Sequence, residues 1–275
     1  MSVILPQIAI LGAGSMGGAI LSGLLSPEVE TAGITVTNRT EAKAATVRFD
    51  GVVSLALESD QAATATAVRG AKLVLLGVKP AMVPALIADL RGVLEPDALV
   101  VSVAAGVTIA TMESLVPQVV FRAMPNTPAV VGLGVTGVAA GSRASAADAT
   151  LVRTLFETVG AVIELPESQI DALSTISGSG PAYVFYLIEQ LTQAARHLGF
   201  DESQSRLMVE QTFRGASELL AASDADPAEL RRRVTSPKGT TERAIGVLES
   251  AGLASLFDRA AAAALVRASE MARGE

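Results

Sequence analysis

Residues 8–17 read IAILGAGSMG, an apolar run that enters a G-x-G-x-x-G turn. The run Ile8-Ala9-Ile10-Leu11 has no polar position, as a strand covered on both faces of a sheet requires. In the turn, Gly12 permits the tight reversal and Gly14 leaves its backbone open to a pyrophosphate. Gly17 lets the following helix lie close to the strand. Ala13, Ser15 and Met16 complete the loop, and a helix expected over 16–25 offers unpaired N–H groups and a positive dipole end to phosphates. In isolation the pattern is also that of a packing turn. The strand before it, the helix after it and a second strand at Ile34-Thr35-Val36-Thr37 turn it into a dinucleotide-binding signature.

Outward from this unit, short apolar runs alternate with helical stretches as far as residue 165. A helix is expected over 41–47, and strands over 73–78, 99–103 and 119–122, each bounded by Gly or Pro. Two more strands, 135–140 and 161–164, are expected at one edge. Buried strands separated by helices imply a mostly parallel, doubly wound α/β sheet, the Rossmann arrangement. Beyond Leu165-Pro166 the pattern becomes helical and alanine-rich, with helices expected over 181–198, 202–222, 241–250 and 253–273. Pro181 suits a first turn and Gly199 a C-terminal cap. The domains expected are therefore 1–165 and 166–275. The helix at 181–198 is apolar on more than one face, so it needs a partner surface. About 110 residues of helix form a thin core alone, which points to packing against a second copy. The alternative is a monomer whose helices dock on the sheet domain.

Composition narrows the classes. The 275 residues carry a formal charge of −7, which argues against a nucleic-acid partner. There is no cysteine, which excludes disulfides and thiolate chemistry and suits a reducing cytoplasm. No metal site is expected. The N-terminus lacks the basic region of a targeting segment, and the uncharged run 123–142 is broken by PNTP and four glycines. A soluble cytoplasmic protein without membrane contact is the expectation.

At the end of the second strand, where Asp or Glu holds the ribose 2′-hydroxyl of NAD, this chain has Asn38-Arg39-Thr40. An uncharged Asn removes the repulsion of a 2′-phosphate and Arg39 can grip it, so NADPH is expected as the preferred cofactor, with NADH possible. The competing reading is a solvated arginine that tolerates both. Val78, Lys79 and Pro80 follow a strand on the ligand-binding edge; Lys79 faces either cofactor or solvent. Ala104-Ala105-Gly106 leaves room for a nicotinamide ring. Met124-Pro125-Asn126 forms a stiff turn whose amide either holds a polar ring substituent or bonds its own backbone.

Together GAGSMG, GVKP, SVAAGVTI, RAMPNTPAVVGLGVTG, SGSGPAYVF and VTSPKGTTERAI resemble the pyrroline-5-carboxylate reductase family over essentially the whole chain. The resemblance implies a Rossmann domain followed by an all-α dimerisation domain, a homodimer, and rings of dimers such as a homodecamer. It implies hydride transfer to the C=N carbon of 1-pyrroline-5-carboxylate, giving L-proline. It assigns Met124, Pro125 and Asn126 to the nicotinamide region, and Ser236, Pro237, Lys238, Gly239, Thr240 and Thr241 to substrate. Thr241 would hydrogen-bond the ring nitrogen. Lys238 departs from the family pattern, which usually has glycine there. The residues themselves fit an anionic substrate, because Gly239-Thr240-Thr241 leads into a helix N-terminus. The two threonines can instead cap that helix.

His197 is expected as a dipole-favoured residue at a helix C-terminus, and Glu229 is expected to pair with Arg233. Two other functions share the sheet: a hydroxyacid dehydrogenase of the 6-phosphogluconate type, and a noncatalytic NADP-binding sensor. The first resembles a family that uses a lysine on the interdomain helix, and 181–198 has none.

Overall fold

The computed structural model describes residues 3–273. Ten strands lie in it: β1 (Val3–Leu5), β2 (Ile8–Leu11), β3 (Val29–Thr31), β4 (Ile34–Asn38), β5 (Val52–Ala56), β6 (Leu73–Leu76), β7 (Leu99–Ser102), β8 (Val119–Met124), β9 (Gly134–Ala140) and β10 (Gly160–Glu164). Between them run α1 (Ser15–Leu24), α2 (Glu41–Ala45), α3 (Ala63–Val68), α4 (Val83–Asp89), α5 (Ile109–Leu115) and α6 (Ala146–Glu157). The short α7 (Ile170–Leu173) follows, then α8 (Gly180–His197), α9 (Glu202–Ala221), α10 (Pro227–Arg233), α11 (Thr240–Ser250) and α12 (Leu253–Arg273).

Strands β1 and β3 form a small parallel pair, and the other eight form one sheet in the order β10-β9-β8-β7-β6-β2-β4-β5. Every pairing in that sheet is parallel except β8 with β9. The chain winds outward from β2 through β4 to β5, then returns to place β6 on the other side of β2. That reversal opens a crevice at the carboxyl ends of β2 and β6, where ligands of doubly wound sheets bind. Alternation along each strand divides the core between the two faces. Ile8, Ile10, Leu73, Leu75, Val101 and Phe121 pack on one side. Ala9, Leu11, Val74, Leu76, Val100 and Val120 pack on the other.

By internal packing the chain divides into two compact units, residues 1–179 with 264–275, and residues 180–263. The boundary expected at 165/166 lies earlier. Ile170, fully buried, belongs to the core of the sheet unit, and this draws 166–179 into it. A π-helical turn, Ser174–Gly178, ends that segment.

The helical unit is built on α8 and α9, joined through Gly199, whose φ of +97° suits the left-handed end of a helix. Arg196 and His197 occupy the last turn of α8, as the helix dipole favours. Asp201 caps α9 in a reciprocal pair with Gln204. The rings of Tyr183 and Phe257 meet at a tilt of 58°, 6.2 Å between centroids. No residue of α8 is buried, and Phe185, Tyr186, Leu207 and Val247 are all at least 60% exposed. A helical unit with this much uncovered apolar surface carries an interface.

Candidate active site

The glycine turn is built by close backbone approach. A Cβ on Gly77 would stand 2.4 Å from the Gly12 carbonyl oxygen, and one on Gly17 would stand 2.5 Å from the same atom. Gly12 itself has φ +96°, and its N–H donates to the Thr37 carbonyl at 3.0 Å. The Ala13 N–H donates to the same carbonyl at 3.2 Å. These contacts fix the turn between β2, β4 and β6. Gly14 differs, since nothing lies within 4 Å of a Cβ placed there. It caps α1 without a side-chain hydrogen bond, and Ser15 beside it is exposed. The loop is therefore closed toward the sheet and open outward, and its shape fits a dinucleotide pyrophosphate.

At the end of β4 the three predicted residues separate in role. Asn38 is buried, and its Nδ2 finds no partner among the described residues. An orphaned donor at this corner also fits a cofactor with a polar ribose. Arg39 is exposed and forms no ion pair among the described residues. The Thr40 hydroxyl is engaged in the protein, accepting from the Lys43 N–H at 3.3 Å to cap α2. Val78 is half-buried, while Lys79 is exposed just ahead of a short 3₁₀ turn that begins at Pro80.

Ala105, Gly106 and Met124 share a cavity of about 300 Å³ with Asp171, Ser174 and Ser179, and with Ala264, Arg267 and Ala268. Ala104 lies buried beneath, its N–H donating to the Ser102 hydroxyl at 3.2 Å. Pro125 is buried. Asn126 is buried as well, and its amide serves the protein on both sides. Nδ2 donates to the Ser177 carbonyl at 2.9 Å, and Oδ1 accepts from the Val135 N–H at 2.8 Å. The amide thus bonds distant backbone groups and not its own turn, and it clamps the π-helical turn to the residues that follow β8.

A charged cluster beneath the cavity escapes the sequence reading. Arg122 on β8 is 4% exposed, and it pairs with Asp171 at 2.5 Å and with Glu167 at 3.5 Å. Glu167 also accepts from the Ile109 N–H at 2.7 Å. An arginine inside an otherwise apolar strand was the available signal, since a buried charge demands a partner.

In the helical unit, the loop 236–239 turns on a hydrogen bond from the Gly239 N–H to the Ser236 carbonyl at 3.0 Å. Lys238 has φ +62° and its N–H donates to the Glu242 carboxylate at 2.9 Å. Gly239 is the cap of α11, without any side-chain cap. The alternative of threonine capping is therefore not what forms. Thr240 and Thr241 are exposed in the first turn, and neither hydroxyl has a hydrogen-bond partner among the described residues. Ser236 and Pro237 are exposed too. On α10, just ahead of the loop, Glu229 holds Arg232 at 2.7 Å and Arg233 at 2.9 Å. Hydrogen bonds from Arg232 and then Arg233 pull the Glu229 carboxyl down to about 2. The expected Glu229–Arg233 pair thus forms within a larger fork. The dinucleotide residues and the loop residues lie on different units.

The sheet order, the glycine turn and the cavity at its carboxyl edge define a dinucleotide-binding protein with a helical second part. Comparison with known proteins narrows this class. Residues 167–271 match the family described as pyrroline-5-carboxylate reductase dimerisation, and residues 7–106 match that described as NADP oxidoreductase, coenzyme F420-dependent. A pyrroline-5-carboxylate reductase of Pseudomonas aeruginosa is 38% identical over 270 residues, 97% of each chain. The structure of a pyrroline-5-carboxylate reductase from Coxiella burnetii superposes with a TM-score of 0.87 at 36% identity, covering 96% of this chain and 97% of that one. A Plasmodium falciparum pyrroline carboxylate reductase with NADP bound shares the fold at a TM-score of 0.80 and 24% identity, covering 97% of this chain and 98% of that one. This chain belongs to the pyrroline-5-carboxylate reductase family.

Proposed function

We infer that this protein reduces 1-pyrroline-5-carboxylate to L-proline with NADPH as preferred hydride donor. Kinship with reductases of that name over the whole chain carries the reading. The bound cofactor would supply the hydride. Gly12, Ala13, Gly14, Ser15, Met16 and Gly17 would seat its pyrophosphate, and Arg39 would take the 2′-phosphate. Ala105, Gly106 and Met124 would give the nicotinamide its place, excluding water from the ring face. The first-turn N–H groups of α11 would hold the substrate carboxylate, and the Thr241 hydroxyl would donate to the ring nitrogen. With the imine protonated on binding, no stronger acid is required. The hydroxyacid dehydrogenase reading is not favoured, since α8 carries no lysine.

Replacing Thr241 by Ala should lower kcat/KM about 10²-fold, as for a positioned proton donor. Wild-type kinetics in T241A would remove it from the mechanism. In the intact enzyme, kcat/KM should be higher with NADPH than with NADH, and the reverse order would overturn the cofactor assignment. The assembly we propose is a homodimer through the helical unit, with dimers arranged in a ring as in a homodecamer. The exposed apolar surface of α8 supports the dimer. We place the enzyme in the cytoplasm, where a chain without cysteine is chemically at home. Among the described residues no helix is long and apolar enough to cross a membrane.

A further inference from the structure

The backbone beyond β4 and β5 stays paired after the strands end. The Leu57 N–H donates to the Asn38 carbonyl at 2.9 Å, and the Glu58 N–H donates to the Arg39 carbonyl at 3.1 Å. Glu58 is thereby fixed beside Arg39. Its carboxylate is held in turn, accepting from the Glu41 N–H at 2.5 Å. The neighbouring Glu41 carboxylate is neutralised by Arg48 and takes the Ser59 hydroxyl at 3.3 Å. Glu58 has no such cation: it forms no ion pair among the described residues, and neither does Arg39. A carboxylate with no ion-pair partner among the described residues is thus anchored on a residue whose backbone bonds that of Arg39, the cation that would grip a 2′-phosphate.

We propose that Glu58 is a cofactor-selectivity residue that works against the 2′-phosphate and lowers the NADPH-over-NADH ratio below what Arg39 alone would set. The inference rests on the NADP(H) reading above and deepens it. A ribose 2′-hydroxyl is neutral and can donate to a carboxylate, whereas a 2′-phosphate is repelled by one. Glu58 and Arg39 are both exposed, so the effect is moderate and weakens with salt.

The test is titration calorimetry on the full-length protein with adenosine 2′,5′-bisphosphate and with 5′-AMP. Glu58→Gln keeps an oxygen for the Glu41 N–H while removing the charge, so the local fold is preserved. It should tighten binding of the bisphosphate about fivefold at low ionic strength and change 5′-AMP by less than about twofold. The gain should shrink at about 0.5 M salt. An unchanged or weaker bisphosphate affinity in E58Q, or equal tightening of both nucleotides, would overturn the proposal. Arg39→Ala keeps the two readings apart. If it binds the bisphosphate as tightly as the wild type, the Arg39 assignment fails, while E58Q still decides the role of Glu58.

Discussion

Lys238 is the only non-glycine residue with positive φ among the described residues, and it sits two positions ahead of the first turn of α11. A left-handed backbone costs an L-residue roughly 1–2 kcal/mol, and glycine avoids that strain. The resemblance had marked this site as one where glycine is usual; the backbone gives the physical reason. Lys238→Gly should therefore hold or raise stability by up to about 1 kcal/mol, the extra freedom of an unfolded glycine offsetting part of the gain. Thermal unfolding at fixed protein concentration checks this, and a loss above about 1 kcal/mol would mean that the side chain holds the loop. Other residues were less legible. Asn126 and Arg122 stand out in the sequence as polar groups beside apolar runs. Their partners, Ser177, Glu167 and Asp171, lie far along the chain, and only the fold brings them close.

Among the elements, the expected strands at 8–11 and 34–37 and the long helices from residue 181 onward were visible because periodicity and caps agreed there. Strands β1, β3 and β5 and helices α3, α4, α5, α6 and α7 fall outside the expected elements. Val52–Ala56 is an edge strand whose residues are mostly half-buried, and α3 is a short alanine and threonine segment with no strong stripe. The π-helical turn at Ser174–Gly178 was also hidden, since SGSG reads as a loop and its shape depends on the Asn126 clamp. Asn126→Ala would leave a donor at Val135 and an acceptor at Ser177 without partners. The expected loss is about 2 kcal/mol of stability in urea unfolding, with kcat falling as the cavity wall loosens. A loss under about 0.5 kcal/mol would show that the turn holds its shape without the clamp.

Across the whole molecule, two different kinds of information meet. The sheet and its glycine turn follow from local pattern: an apolar strand, three glycines whose spacing permits backbone contact, and a helix that starts at Ser15 without a side-chain cap. The helical part carries its meaning in one loop, where a glycine cap leaves two threonine hydroxyls without hydrogen-bond partners among the described residues. Hydrophobic periodicity cannot distinguish such a loop from a plain connector, so its reading came from resemblance to a family. The uncovered apolar faces of α8 and α9 likewise signal an interface without fixing its symmetry. The chain belongs to a family of reductases named for a cyclic imine that they reduce with a nicotinamide cofactor. The most direct measurement is NADPH oxidation by the purified protein with 1-pyrroline-5-carboxylate, alongside assay of the product. The account predicts enzyme-dependent oxidation with one L-proline formed per NADPH consumed; a folded, NADPH-binding sample that produces no proline would contradict it.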